Sequence, residues 1–286
     1  MSIPVELPSP HIVSAAASGR RGTPLLIYAA LLIVGVVVVC AVLGPLVAPG
    51  SPDTQRLLVS DTPPSGEFWA GTDVLGRDVL SRTVVGARTA LVGPLIVAAG
   101  AFAIATLLGL LSGYLGGLVD TAVMRWVDFM FALPGPLVAI VVVGVVGGGY
   151  WTAVAVLVAL FVPADTRIVR SAVLAQRPLP YIEAARTLGI SKARILFVHI
   201  LPNVLPIVCA YVVLDFAFAL VNLAGLSFLG LGVQPGTSDW GRMLFENRNI
   251  LFSNPVALLL PALMIILTAG SINLIGDWVY ERFSAQ

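Results

Sequence analysis

Side chains that could perform covalent chemistry are few in this 286-residue sequence. It contains two histidines, His11 and His199, and two cysteines, Cys40 and Cys209, which lie far apart along the chain. Two thiols are too few for a structural zinc site. The sequence also lacks a glycine-rich loop ending in lysine that could cradle the phosphates of a nucleotide. We therefore expect no catalytic residue, no metal and no cofactor on this chain.

Asp215 stands out because it lies deep in an apolar run. It comes about 18 Å into a helix predicted to begin at residue 203, at about 1.5 Å per residue. An acidic residue at that depth costs about 2.5–3.5 kcal/mol on insertion into a membrane, so it must face protein or water. Asn222 follows two turns later on the same helix face. Two interpretations stay open: these residues line a path through a membrane, or a neighbouring helix satisfies a protonated or paired Asp215.

The composition requires elements that lie in a membrane. Apolar residues make up 58% of the chain and charged residues 11%, with a mean hydropathy of +0.98. Soluble domains carry about 25% charged residues, so this chain cannot cover a globule in water. A net charge of +1 provides no field for polyanions. These numbers argue against a soluble enzyme, a disordered chain and a nucleic-acid binder, and they predict an all-α integral membrane protein.

Six apolar stretches are long enough to cross a bilayer, which takes about 20 helical residues. They lie at about 25–48, 89–115, 129–148, 150–173, 203–230 and 255–278. The first follows Arg20 and Arg21, as the apolar core of a cleaved signal peptide would. Its length favours the alternative interpretation, a retained helix. The predicted organisation is a tail 1–20, a first span 21–48, a loop 49–88 with a short helix from about Arg77, a five-helix core 89–278 containing the loop 174–202, and a tail 279–286.

The basic residues predict the orientation of the spans. Ten of the 16 fall on one side and six on the other if both termini are cytoplasmic. The loop 174–202 alone contributes Arg177, Arg186, Lys192 and Arg194 to the inner side. The inner set is completed by Arg20, Arg21, Arg125, Arg167, Arg170 and Arg282, and the outer set is Arg56, Arg77, Arg82, Arg88, Arg242 and Arg248.

The loop 174–202 has the signals of two short helices on a stiff frame. Pro178 and Pro180 end the preceding helix, and a helix is predicted from about 181 to 188. Glu183 lies in its first turn, where the helix dipole favours a carboxylate. Gly189 suits the position after the helix that requires a positive φ, and Ser191 can cap the next helix. This segment is either a docking surface for another protein or an amphipathic loop on lipid headgroups.

Two further patterns concern packing. Gly109 and Gly113 lie four residues apart, a spacing that lets membrane helices approach closely. In the loop 49–88, charged residues of both signs predict a local polar network, with docking of another protein as the alternative. These residues are Asp73, Arg77, Asp78 and Arg82.

Four ordered blocks resemble ABC importer permeases. Glu183-Ala184-Ala185, Gly189 and Leu201-Pro202 are similar to the "EAA" loop of that family, with His199 where the family has isoleucine. Three more blocks resemble the "C"-type subunits of dipeptide and oligopeptide permeases. They are Gly71 to Arg82, Ser112 to Gly117 with Asp120, Met124, Arg125 and Asp128, and Leu226 to Gly232 with Gln234-Pro235 and Trp240-Gly241. Together they cover the chain from about residue 69 to its end.

The resemblance implies a type I ABC importer permease fold with a cytoplasmic EAA coupling helix. It implies a non-catalytic subunit in a bacterial plasma membrane, which forms half of a path for dipeptides or oligopeptides. Its partners would be a homologous permease chain, two cytoplasmic ATPase domains that carry ATP and Mg²⁺, and an extracytoplasmic substrate-binding protein. The implied ATPase-coupling residues are Tyr181, Glu183, Ala184, Ala185, Arg186, Leu188, Gly189, Leu201 and Pro202.

The other implied sites are less sharply defined. Asp215 and Asn222 would line the path, where Asp215 could meet the N-terminal ammonium of a peptide. The charged residues of the loop 49–88 would receive the binding protein. Relatives of this shape also carry nickel or haem, so the cargo stays open. A gradient-driven secondary transporter is a weaker alternative, because Asp215 is the one buried acid noted and no inverted repeat is found; the EAA loop argues against a channel or scaffold.

Overall fold

A computed structural model describes residues 24–284, so the predicted tail 1–20 lies outside the described residues. That part of the chain is helical, without a β-strand. Its helices are α1 Pro24–Val47, α2 Val79–Leu115, α3 Gly117–Phe131, α4 Gly135–Val146, α5 Tyr150–Gln176, α6 Pro180–Thr187, α7 Lys192–Arg194, α8 Leu201–Phe228, α9 Trp240–Asn247 and α10 Val256–Ser284. Single 3₁₀ turns form at Leu57–Val59 and Arg248–Ile250, and a π-helical segment at Ile195–Ile200.

Five helices are long and apolar enough to cross a membrane: α1, α2, α5, α8 and α10. The pair α3 and α4 supplies a sixth crossing if the two are taken together, although they meet at an 85° bend. The prediction of an all-helical protein with six spans is confirmed in that sense.

The third predicted span, 129–148, is wrong as a continuous helix. Pro134 removes a backbone donor and disfavours a helical Leu133, so the helix ends there and restarts at Gly135. α4 then has 12 residues and is about 18 Å long, shorter than the bilayer core of about 30 Å. The charged segment before it forms the amphipathic helix α3.

α2 and α5 form the centre of the fold and pack closely along their length. A Cβ on Gly109 would lie 2.6 Å from the Cβ of Val169, and a Cβ on Gly113 would lie 2.9 Å from that of Val173. No side chain fits between these helices at either position. The close approach predicted from the glycine spacing is therefore confirmed.

The two ends of the bundle carry different elements. At one end, called the α9 end, lie α9, the segment 48–78 and the starts of α2 and α5. At the other, called the α6 end, lie α6, α7, the ends of α2 and α5 and the start of α8. α1 runs towards the α9 end, since Gly44 lies against the backbone of Val85. α10 runs towards the α6 end, where Tyr280 packs edge-on against Tyr211.

Two helix boundaries differ from the predictions. α2 begins at Val79, so the short helix expected from about residue 77 and the span expected from residue 89 form one helix about 55 Å long. α10 continues to Ser284 through residues that were assigned to a tail.

Candidate functional site: a docking helix, a membrane acid pair and a buried ion network

Local sequence signals define α6. Leu179 is extended, Pro180 occupies the first turn, and Glu183 follows in that turn. After the helix, Gly189 adopts a φ of 71°. The Ile190 amide donates to the Ala185 carbonyl at 3.1 Å and the Gly189 amide to the Arg186 carbonyl at 3.0 Å, which is a Schellman ending. The predicted helix and its glycine terminator are confirmed.

The two faces of α6 differ in burial. Ile182 and Ala185, three residues apart, are buried against the ends of α2, α5 and α8. The opposite face exposes Glu183, Ala184 and Leu188, and Leu188 keeps 79% of its surface accessible. α6 is thus anchored on one side, while its other side presents a carboxylate, a small residue and a large apolar residue.

Polar contacts hold α6 on the bundle. The Tyr181 hydroxyl donates to Gln176 at the end of α5 at 2.8 Å and accepts from the Asn203 amide of α8 at 3.2 Å. The Arg186 guanidinium lies 5.1 Å from the centre of the Tyr114 ring of α2. The sequence did not single out Gln176 or Asn203, because their role depends on contacts between distant segments.

The chain continues from α7 into α8 without a break. Ser191 caps α7 as predicted, accepting from the Arg194 amide at 3.4 Å. The π-helical segment Ile195–Ile200 then leads directly into α8, whose first turn contains Leu201 and Pro202. Leu201 and Pro202 therefore lie within one helical rod, and a displacement near α6 would reach the span through it.

Asp215 has a second acid as its neighbour, so the expectation of a single deep acid is wrong. Asp165 of α5 and Asp215 of α8 line the same small cavity. Asp165 is 6% exposed and its Oδ2 has no partner in the described part of the chain. A small cavity between the helices is lined by both acids and Tyr211 and has room for about one water molecule. Asp165 and Asp215 are together called the acid pair.

Asn222, the other residue predicted to line a path, contacts its own helix. Its side-chain amide donates to the Phe218 carbonyl one turn earlier, at 2.8 Å. It lies two turns from Asp215, towards the α9 end. A second helix thus places an acid beside Asp215, and both interpretations of Asp215, like the role of Asn222 in a path, stay predictions.

A buried ion network lies at the α9 end. Asp73 accepts from Arg77 Nε at 2.7 Å and from Arg82 Nη1 at 2.6 Å. Both arginines also reach Glu246 of α9, at 2.8 and 3.0 Å. Arg242 donates to the other oxygen of Glu246 at 3.0 Å. This ion network, defined by these five residues, joins the segment before α2, the start of α2, and α9.

The protonation of Glu246 follows from this environment. Burial alone would raise its pKa, but the charge of Arg82, the backbone amide of Gly236 and the Arg242 side chain together lower the pKa to about 2. The carboxylate is therefore charged across the physiological range. The sequence predicted a local network around Asp73 but missed Glu246 and Arg242, whose i,i+4 spacing on an amphipathic helix was the available signal.

The four side chains predicted to dock a binding protein are buried. The exposed fractions are 0% for Asp73, 2% for Arg77, 8% for Asp78 and 0% for Arg82. Asp78 caps α2 by accepting from the Ser81 amide at 3.0 Å. Because these residues are buried, they could affect docking only through the surface that they support. Their role in docking a binding protein stays a prediction.

Within residues 24–284, no group of three or more His, Cys, Asp or Glu side chains is arranged to hold a metal ion. Asp165 and Asp215 have no third side chain of these types beside them among the described residues. The candidate site thus consists of one helix with an exposed face, one intramembrane pair of acids and one ion network.

Comparison with known proteins gives a family and a fold. The sequence model of the family described as "Binding-protein-dependent transport system inner membrane component" matches residues 105–286. The "Glutathione transport system permease protein GsiD" of Pectobacterium atrosepticum is 38% identical over 223 residues, covering 78% of this chain and 74% of the relative. The "Di/tripeptide transport system permease protein DppC" of Pseudomonas aeruginosa is 38% identical over 262 residues, covering 90% and 86%.

A third relative, the "Probable D,D-dipeptide transport system permease protein DdpC" of Escherichia coli, is 34% identical over 91% of this chain and 87% of its own. Among solved structures, the inward-facing MetNI methionine ABC transporter matches with a TM-score of 0.57 and 19% identity, covering 70% of this chain and 95% of that chain. This likeness shows that the two chains share a fold.

Proposed function

We propose that this chain, which belongs to the family of binding-protein-dependent transport system inner membrane components, is the transmembrane permease subunit of an ATP-driven importer of short peptides. It forms half of the translocation pathway and leaves ATP hydrolysis to separate subunits. The observation that carries the proposal is α6, anchored by one face and exposing Glu183, Ala184 and Leu188 on the other.

The relatives favour a peptide cargo. Their names specify glutathione, di- and tripeptides, and D,D-dipeptides, all of them short peptides. None of these names mentions nickel or haem, the alternative cargoes. The gradient-driven alternative loses its support, because the chain belongs to a family named for dependence on a binding protein.

The exposed face of α6 suits a groove in a partner protein. Ala184 allows close approach of another backbone, Leu188 supplies apolar surface to bury, and Glu183 supplies a charge that a partner cation can read. The exposed face thus combines apolar area that a partner could bury with a charge that a partner could pair. We assign this face to the cytoplasmic ATPase, with Tyr181 and Arg186 holding the helix at its angle.

The contacts below α6 provide a route for coupling. Ile182 and Ala185 pack in one cluster with Tyr114 of α2, Val173 of α5 and Val208 of α8. Because packed interiors transmit displacement rather than absorb it, movement of α6 with the closing ATPases would shift these three helix ends together. Rigid-body rocking of the bundle would then alternate its opening between the two sides.

The remaining partners follow from the same assignment. With α6 facing the ATPases, the α6 end is cytoplasmic and the α9 end faces outwards, in the bacterial plasma (inner) membrane. The start of α1 and the end of α10 then lie on the cytoplasmic side. A second, homologous permease chain would complete the path, two ATPase domains would bind below, and a substrate-binding protein would deliver the peptide at the α9 end.

Transport in vesicles tests the function. Uptake by the reconstituted complex with its binding protein should stop without ATP on the ATPase side and should persist when ion gradients are collapsed. Uptake that follows a gradient and ignores ATP would refute the proposal.

Charge reversal on α6 tests the docking face. Glu183→Arg should reduce peptide uptake at least tenfold while the chain still inserts, either because the ATPase dissociates or because hydrolysis continues without transport. Glu281→Arg is the matched control, since Glu281 is an exposed acid near the end of α10 that lies outside the docking face. Normal uptake and normal ATPase retention in Glu183→Arg would contradict the assignment of this face.

A further inference from the structure

Arg88 differs from the other arginines at the α9 end. Arg77, Arg82 and Arg242 belong to the buried ion network, Arg56 pairs with Glu67, and Arg248 donates to the Phe245 carbonyl. Arg88 has no hydrogen bond or ion pair with any described residue, and it is exposed. It lies on α2, about 14 Å from the start of the helix, at the outer edge of the membrane-spanning stretch.

An open groove of about 760 Å³ lies beside Arg88. Its walls come from α2, from the start of α5 and from the segment between α8 and α9. Gln234 and Thr237 are exposed there, and Tyr150 donates to the Thr89 carbonyl across it. The groove is lined by Arg88, Thr89, Val92, Gly149, Tyr150, Trp151, Thr152, Val233, Gln234 and Thr237. A guanidinium, an amide, hydroxyl groups and aromatic rings therefore surround one opening at the α9 end.

A second groove meets the first at Arg88. It has a volume of about 720 Å³, is lined by α1, α2, α8 and α10, and shares Arg88 and Val92 with the first groove. Apart from Arg88 its lining side chains are apolar. Arg88 thus stands where a polar groove at the α9 end joins an open apolar groove between α1, α2, α8 and α10.

An exposed arginine in this position, unpaired among the described residues, is available to a ligand. A charged side chain at the edge of a span is costly unless it faces water or an opposite charge, and such residues mark transport paths. The planar guanidinium matches a carboxylate with two parallel hydrogen bonds. Asp239, which lines a small cavity together with Tyr150, is 5% exposed and already caps α9, so it does not serve this role.

We propose that Arg88 binds the C-terminal carboxylate of the peptide at the outer mouth of the path, with Gln234 and Thr237 available to the peptide backbone and the apolar groove available to side chains. This inference rests on the proposed function. A short peptide has a carboxylate, amide groups and apolar side chains, and this junction offers a partner for each. The rival ligand is a phospholipid with its phosphate on Arg88 and a chain in the apolar groove.

The test separates the peptide carboxylate from other features of the cargo. The complete complex with its binding protein would be reconstituted in phosphatidylcholine vesicles and offered a library of synthetic di- and tripeptides, each as the free acid and as the C-terminal amide. Uptake would be read by mass spectrometry of the vesicle contents. Because the binding protein is the same in every experiment, a change in the acid-to-amide ratio between variants comes from the permease.

The expected result is a change of preference. Arg88→Gln should lower uptake of free acids about tenfold or more, the loss expected for one charge-assisted hydrogen bond, with little effect on amides. Arg88→Lys should retain most of the preference because it keeps the charge. Arg248→Gln, a change of another exposed arginine at the same end, should leave the ratio unchanged.

Several outcomes would overturn the inference. An unchanged ratio in Arg88→Gln would refute it while leaving the proposed function intact. Equal loss for acids and amides, with wild-type uptake that rises when phosphatidylglycerol is added, would assign Arg88 to lipid. A wild-type complex that takes up no peptide with ATP present would refute the proposed function itself.

Discussion

Removal of one carboxylate from the buried ion network should destabilise the protein strongly. Asp73→Asn keeps the size of the side chain but removes the charge that Arg77 and Arg82 share. Three guanidinium groups would then face Glu246 alone. Because Asp73, Arg77 and Arg82 are at most 2% exposed, water cannot compensate for the lost charge. Breaking a buried pair in this way costs about 3–5 kcal/mol.

An exposed pair in the same region provides the comparison. Arg56 and Glu67 form an ion pair of 2.8 Å, nearly as short as the contacts of Asp73, but their side chains are 53% and 69% exposed. Such a pair contributes about 0–1 kcal/mol. Glu67→Gln therefore removes a contact of the same length with almost no expected effect on stability. The two variants therefore differ in burial and in the number of arginines that lose a partner, and hardly in bond length.

The assay is the unfolding of each purified variant in the same detergent, followed by circular dichroism against denaturant. Asp73→Asn should unfold at a much lower denaturant concentration than the wild type, and Glu67→Gln at nearly the same one. Adding Arg82→Gln to Asp73→Asn should recover part of the loss, because it removes an uncompensated charge. Equal midpoints for the two single variants, or no recovery in the double variant, would refute the reasoning.

Two other predictions concern the remaining acids. The pKa of Glu246 is lowered from 4.5 to about 2 in the folded protein, so its contribution to stability is complete above about pH 4.5 and is lost as the pH falls towards 2. Glu246→Gln should lower stability at pH 7 and flatten the decline between pH 4.5 and 2 in acid-unfolding curves; a decline as steep as in the wild type would exclude this origin. Within the membrane, the double change Asp165→Leu and Asp215→Leu should yield a folded chain without peptide uptake if the pair lines the path. Uptake restored relative to Asp215→Leu alone would show instead that the pair only joins α5 to α8.

α6 could be predicted from the sequence because the signals that define its ends are local. Pro180 fixes where α6 begins, Gly189 fixes where it ends, and Ser191 caps the following helix. Each acts within a few residues of itself. The small residues Gly109 and Gly113 likewise predicted close packing, although the sequence could not say that α5 supplies the facing valines.

The sequence predictions failed where one pattern concealed another, or where the contact partner of a residue is distant in the sequence. Continuous apolar residues on both sides of Pro134 concealed a helix break that the proline itself indicates. Asp165 lies inside the span predicted at 150–173 and was not singled out. Its neighbour Asp215 is far away in sequence, and no local pattern indicates that the two carboxyl groups meet. Glu246 was missed because its partners Arg77 and Arg82 are distant in sequence, although its i,i+4 spacing from Arg242 was a local signal.

Two features that the sequence indicated separately are neighbours in the fold. The apolar cluster beneath α6 includes Val208, and Val208 also lines the cavity between Asp165 and Asp215. Val169, in the same cluster, lies one turn of α5 beyond Asp165. A displacement of α6 would therefore reach α5 and α8 at the level of the acid pair, within a few residues. Because Asp165 and Asp215 lie on different helices, rocking of α5 against α8 would change the separation of their carboxyl groups. The acid pair is thus an intramembrane group placed to respond to movement of α6.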